Sequence, residues 1–365
     1  MNDDVKMLLE RYEPKPTKPV ETTRQMCTAR YSPCGRFLVA GGFDALVHRW
    51  DVSAAEVKVL PTLAGHNGWV DEVAFDPAGE FFVTADTWGQ LRCWKSGIDA
   101  EPVWSIAEAH DGWIQDLAIS PDGSLIATCG NDHAVRVWSA ADGAKRHELS
   151  GHGTEVFSVA FHPDGQSLVS GDLKGSVRQW NLATGECSRQ LDASVLYTEH
   201  RLQEVGGARK LHFSRDGRLL TCAGTKPANG GNVQGIPTVL LFDWESGELK
   251  RTFELGKTGD VYVSDVAFHP DGFLMLTISG NPGTGKLVYH RLEDEKPFFE
   301  TTRVPNAHSL SLHPYGGRLA VVTTNSGSNG NGRRVDKDGN YIGNHSPIVL
   351  LDMPPRPATP PAENA

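Results

Sequence analysis

Gly280 to Lys286 reads GNPGTGK, close to the G-x-x-x-x-G-K-[ST] loop whose backbone amides cradle phosphate. The next residue is Leu287, so the hydroxyl that would hold magnesium is missing. The stretch also joins two extended segments, whereas a phosphate loop uses the dipole of a following helix. Nucleotide binding is therefore not expected. Asp336, Asp338 and Asn340 in VDKDGNYIG alternate as calcium ligands do, but Gly339 is out of register and Pro347 stands where a bidentate Glu is required. A β-hairpin turning on Asp338-Gly339 is the simpler expectation. The chain has 14 His, and no Ser-His-Asp order, H-E-x-x-H or paired-carboxylate arrangement stands out among them. No catalytic, metal-binding or cofactor-binding residue is assigned, and no cofactor is expected.

A more promising chemistry is aromatic. Trp69 in HNGWV and Trp113 in HDGWI recur at one spacing after a His, with Trp88, Phe43 and Phe157 expected nearby. A Trp can bury roughly 150–250 Å², so a partly exposed group of them would form a binding patch. Asp71, Tyr262, Arg333 and Arg334 complete the candidate partner-binding set. The competing expectation is that each Trp packs on its own repeat. Glu72, Asp116 and Asp265 share one register and could hold a cation, which Lys210 in the same register opposes.

The elements that position these residues come from a repeat. Seven segments read strand, Pro-x-Gly type turn, strand, with the turn at Pro33, Pro77, Pro121, Pro163, Arg215, Pro270 and Pro314. In the first four units a third strand ends on Trp50, Trp94, Trp138 and Trp180, each 17 residues after the turn position. A fourth extended stretch leads to His66, His110 and His152. His162, His269 and His313 share another repeat position, before the hairpin turn. Repetition through the fold explains these six His better than chemistry does. Four antiparallel strands per unit (a to d) and seven units make a seven-bladed β-propeller.

These residues resemble the WD-repeat (WD40) β-propeller family over about residues 18 to 353. The third unit carries the whole family tetrad of His110, Thr128, Asp132 and Trp138, which satisfies both nitrogens of a buried imidazole. Unit one has Ala40 in place of the hydroxyl. Trp88 in unit two and Lys174 in unit four stand where the Asp is expected, and Phe242, Tyr289 and Leu351 replace the Trp in units five to seven.

The expected domains are an N-terminal extension (1–13, a short helix or disordered), one propeller (14–353) and a Pro-rich disordered tail (354–365). Unit seven lacks a fourth strand, so the N-terminus around Lys18 to Thr23 is expected to complete that blade and close the ring. Pro14, Pro16 and Pro19 suit such an edge. Long insertions gather in units five to seven: VLYTEHRLQEVGGA, TKPANGGNVQGIP and NSGSNGNGRRVDKDGNYIGNHSP. The resemblance places the d-a and b-c loops on one face, so these segments form either a ligand-contacting wall or drifted linker.

Across 365 residues the formal net charge is -10 and the pI is near 5.8, which disfavours contact with nucleic acid or an anionic membrane. No apolar run reaches membrane-spanning length, and MNDDVKMLLERYE lacks the order of a secretory leader. The 6 Cys form no C-x-x-C pair. A monomeric cytoplasmic protein is expected. The resemblance implies a non-enzymatic scaffold for a protein or peptide partner, bound on the face bearing the d-a and b-c loops. The alternative is a propeller enzyme, or a small-molecule or cation binder, acting at the central channel mouth.

Overall fold

In this computed structural model the described residues are 3–200, 203–228, 234–280, 283–325, 334–335 and 341–354. Seven four-stranded antiparallel sheets follow one another along the chain, each with strand order a-b-c-d. Blade two is representative: Val70–Phe75, Phe81–Asp86, Leu91–Lys95 and Pro102–Ile106. Its inner strands alternate so that Val70 and Val73, and then Phe82, Val83 and Ala85, are buried between neighbouring blades. Burial between blades, rather than within one, makes a single blade unstable alone and the closed ring stable.

The a-b hairpins share a capped turn. Asp76 accepts from the backbone N–H of Ala78 (3.0 Å) and of Phe81 (2.8 Å), and Gly79 adopts a φ of 75° that a side chain would resist. Ser32, Ser120 and Ser214 use their hydroxyls in the same way. His162 and His313 occupy this position in blades four and seven. There Nδ1 accepts from the turn, and Nε2 donates across to the next blade, to Gly217 O (3.0 Å) and Gly35 O (3.1 Å). These recurrent His are therefore turn caps that also latch blades together, His313 joining the last blade to the first.

Ring closure uses the N-terminus, slightly earlier than the expected Lys18 to Thr23. Lys15–Pro16 pairs antiparallel with Ile348–Asp352, and Thr17 N donates to Leu350 O (2.9 Å). Val20 and Ile348 then exchange hydrogen bonds. An edge strand needs only alternate N–H groups, so pairing begins inside the Pro-containing segment. Ahead of it, Asp3–Tyr12 forms a helix, α1, with Tyr12 buried and Val5 and Leu8 packed on the core of blades six and seven. The Tyr12 hydroxyl donates to Asp271 at 2.6 Å.

The insertions take ordered form where they are described. Before blade five, Tyr197–His200 pairs with Gln203–Gly206, and the b-c hairpin of that blade lengthens to Leu219–Pro227 with Gly235–Asp243. In blade seven Arg334–Val335 pairs with Tyr341–Ile342. The expected turn at Asp338-Gly339, with residues 336 to 340 of the calcium-like stretch and the tail from 355 to 365, lies outside the described residues.

Candidate functional site at the channel mouth

Strand a carries a one-residue bulge near its start in blades one, two, three, four and six. The extra residues are Cys27, Asp71, Gln115, Phe157 and Ser264, while Arg209 and His308 hold the same position in blades five and seven. A bulge leaves one residue out of the ladder and re-aims its side chain. Here all seven residues line one cavity of about 500 Å³ at the channel mouth, on the face of the b-c and d-a loops.

Above this ring sits an aromatic wall. Phe43 and Trp69 stack with ring centres 4.4 Å apart, and Trp113 meets Trp69 edge-on at 6.4 Å. Trp69 remains 44% exposed and Phe43 36%. Trp113 is oriented by its indole N–H, which donates to Asp71 Oδ2 at 3.1 Å. Burial, with the adjacent Glu72 carboxylate, pushes the Asp71 carboxyl up to about 6. Burial and Asp71 likewise push the Cys27 thiol well above its usual value. Across the cavity, Phe157 and Tyr262 flank the Arg209 guanidinium.

The structure brings Phe43, Trp69, Asp71, Trp113, Phe157 and Tyr262 to this mouth. It does not bring Trp88 there. Trp88 is 68% exposed and lines a separate groove with Glu108, Asp111, Arg136 and Lys145, between blades two and three. The expected single Trp patch is therefore two sites. Arg333 lies outside the described residues, and Arg334 is described only as part of a short strand pair. Arg209, Gln115 and His308 escaped the sequence reading. Their signal was positional, one residue before the shared strand-a register.

Below the mouth, the register acids are held by resident cations. Lys210 Nζ lies 2.7 Å from Glu72 and 3.5 Å from Asp116, while Arg30 reaches Asp265 at 3.3 Å and Glu72 at 3.6 Å. Backbone N–H groups of Val159 and Leu310 donate to Asp116 (3.1 Å) and Asp265 (3.0 Å). A bound cation would have to displace Lys210 and Arg30, and the described residues contain no metal-holding His, Cys, Asp or Glu group. The phosphate-loop-like stretch is similarly committed, since Lys286 pairs with Asp260 (2.9 Å) and Glu300 (3.0 Å) on strand c of blade six.

The buried tetrads correct the sequence reading in two blades. In blade three His110 Nδ1 lies 2.8 Å from Asp132, its Nε2 is 2.7 Å from Thr128 Oγ1, and Trp138 Nε1 donates to that hydroxyl at 2.9 Å. Blade two builds the same chain from His66, Thr84, Trp94 and Asp86, not from position 88. Blade four builds it from His152, Ser170, Trp180 and Asp172, not from position 174. The acid comes from the end of strand b, two residues after the hydroxyl, where blade three has Gly130. An ionised Asp only accepts, so Nδ1 carries the proton and Nε2 accepts from the hydroxyl. Burial holds His66 and His110 below the usual His value, consistent with this neutral form. In blade one Asp44 instead meets His48 on strand c, at 3.1 Å.

Bladed sheets, tetrads and a residue-lined mouth define the class as a seven-bladed β-propeller built from repeats. Residues 18–51, 57–95, 101–139 and 143–181 match the family described as WD domain, G-beta repeat, so four WD40 repeats lie within this seven-bladed propeller. It is 28% identical to Striatin-4 of Homo sapiens over 151 residues, 39% of this chain and 18% of that protein. It is 28% identical over 176 residues to the WD repeat-containing protein WDS homolog of Arabidopsis thaliana, 48% of this chain and 30% of that protein. Over 230 residues it is 25% identical to Eukaryotic translation initiation factor 3 subunit I of Emericella nidulans, 52% of this chain and 68% of that protein. The chain thus spans less than a third of the length of the first two relatives.

Proposed function

We propose that this propeller is a non-enzymatic scaffold that docks a protein or peptide on the face bearing the b-c and d-a loops. The observation that carries this reading is the aromatic wall over the mouth. Phe43, Trp69 and Trp113 are held in fixed mutual geometry, yet Trp69 stays 44% exposed. Rigid aromatics beside a cavity are the side chains that dominate binding hot spots. A WD-repeat propeller generally acts as a non-catalytic interaction platform, which supports the same reading. Six free cysteines support action in a reducing compartment such as the cytoplasm.

The test is binding with Trp69→Ala and Phe43→Ala combined. Both rings lie at the surface, so melting should shift little while partner capture falls at least about tenfold, as for loss of a hot spot. Unchanged capture by the folded double variant would refute the assignment of this face.

A further inference from the structure

Arg209 is the cationic member of the ring of residues aimed into the mouth. It is fixed by the insertion that precedes blade five. Gly206 and Gly207 adopt φ of 115° and 101°, and a Cβ on Gly207 would come within 3.0 Å of the Phe157 ring. These glycines let the returning chain lie against blade four. Ala208 N then donates to Asp172 O (3.0 Å) and Arg209 N to Ala223 O (2.9 Å), clamping the backbone on both sides.

The side chain is held as firmly. The guanidinium carbon lies 4.2 Å from the Phe157 ring centre and 5.1 Å from that of Tyr262, and Nε donates to Gly206 O at 3.0 Å. Among the described residues no carboxylate pairs with it, and its two Nη groups have no hydrogen-bond partner. The neighbouring cations differ, because Lys210 and Arg30 are both occupied by Glu72, Asp116 and Asp265. Burial, with no carboxylate to offset it, lowers the Arg209 pKa from its usual value, yet a guanidinium stays charged. A partly buried, pre-oriented fork without an anion is a site waiting for one.

We propose that Arg209 is the carboxylate-binding subsite of the mouth, taking an Asp or Glu side chain or a C-terminal carboxylate of the docking peptide. This rests on the reading of the mouth as a peptide-docking site. A single planar guanidinium matches a carboxylate through two parallel hydrogen bonds. Asp71 and Glu72 on the same cavity would repel a doubly charged phosphate more strongly.

The experiment follows the Arg209 Nε–H and the Trp69 and Trp113 indole N–H signals by NMR during titration. The probes are N-acetylglutamate N-methylamide, N-acetylalanine, the neutral N-acetylglutamine N-methylamide, and inorganic phosphate. One of the two carboxylates should give saturable shifts, the first indicating side-chain and the second C-terminal recognition. The neutral amide should bind about tenfold more weakly or worse, and Arg209→Gln should lose about tenfold in carboxylate affinity. Arg209→Lys, which keeps the charge without the fork, should fall between. Equal binding of the neutral amide, phosphate binding tighter than both carboxylates, or full affinity in folded Arg209→Gln would each overturn the proposal. If Arg209→Gln fails to fold, the comparison of probes on the unaltered protein decides. The capture test on Trp69 and Phe43 is independent of these titrations, so either reading can fail without the other.

Discussion

Asp86→Ala should be among the most damaging single changes in this propeller, although Trp88 is the residue at the family's Asp position. The Asp86 carboxylate is fully buried and accepts from His66 Nδ1 (3.0 Å) and from the backbone N–H groups of Trp88 and Gln90 (both 2.9 Å). The N–H groups of Asn67 and Gly68 approach it at 3.3 Å. Removing it strands the His66 donor and two well-formed backbone donors. Each unmatched buried donor costs about 1–3 kcal/mol, and partial relaxation puts the total loss at about 3–5 kcal/mol. Trp88→Ala touches only an exposed ring and should change stability by less than about 0.5 kcal/mol. Urea unfolding followed by tryptophan fluorescence measures both, the midpoint falling sharply for Asp86→Ala and staying in place for Trp88→Ala. A loss below about 1 kcal/mol for Asp86→Ala, or a larger loss for Trp88→Ala, would refute the assignment of the buried acid to strand b.

Three further outcomes are expected. Gly217→Ala should destabilise by about 1–3 kcal/mol in the same assay, because its φ is 72° and the new Cβ would sit 2.5 Å from His162 Nε2 in the blade-to-blade latch. Tyr12→Ala should cost about 2–4 kcal/mol by removing a buried ring and its bond to Asp271, and rapid amide exchange throughout α1 should accompany it. For Asp71 the folded carboxyl is raised from 3.8 to about 6, so the folded state holds the proton more tightly than the unfolded chain. Stability should therefore fall as pH rises between those values, by about 2–3 kcal/mol in all, and Asp71→Asn should remove that slope. Identical pH profiles for the two proteins would contradict the burial argument.

Most of the fold was legible because repetition is a property of the chain itself. Seven hairpin turns, the first four of them 42 to 44 residues apart, dictate blades, and a last unit with three strands demands a fourth from elsewhere. What local pattern could not place were features set by the closed ring. The closing strand begins at Lys15 because Thr17 and Val20, separated by sequence from their partners Leu350 and Ile348, find them only across the last blade. The tetrad acids of blades two and four were visible as hydroxyl-x-Asp in TAD and SGD, but a fixed family spacing pointed to the turn instead. Their geometry shows that the carboxylate can reach the same imidazole from either place.

The candidate site was legible in part. Aromatic residues at one spacing led to Trp69 and Trp113, whereas Trp88, taken from a similar argument, faces a different groove. Arg209 carried no local motif, since its environment is made by Phe157 and Tyr262, each about fifty residues away along the chain. The bulge that aims one residue per blade into the mouth is a pairing irregularity, and nothing in a single strand's composition announces it.

The central claim is that partners dock on the mouth face and not on the opposite one. A photo-crosslinking amino acid placed at Phe43, on the mouth, or at Tyr315, which is 72% exposed in an a-b turn, tests it directly. After incubation with native extract and irradiation, the account predicts a discrete crosslinked product from position 43, lost when Trp69→Ala is added, and none from position 315. Crosslinking from position 315 with none from position 43 would contradict it.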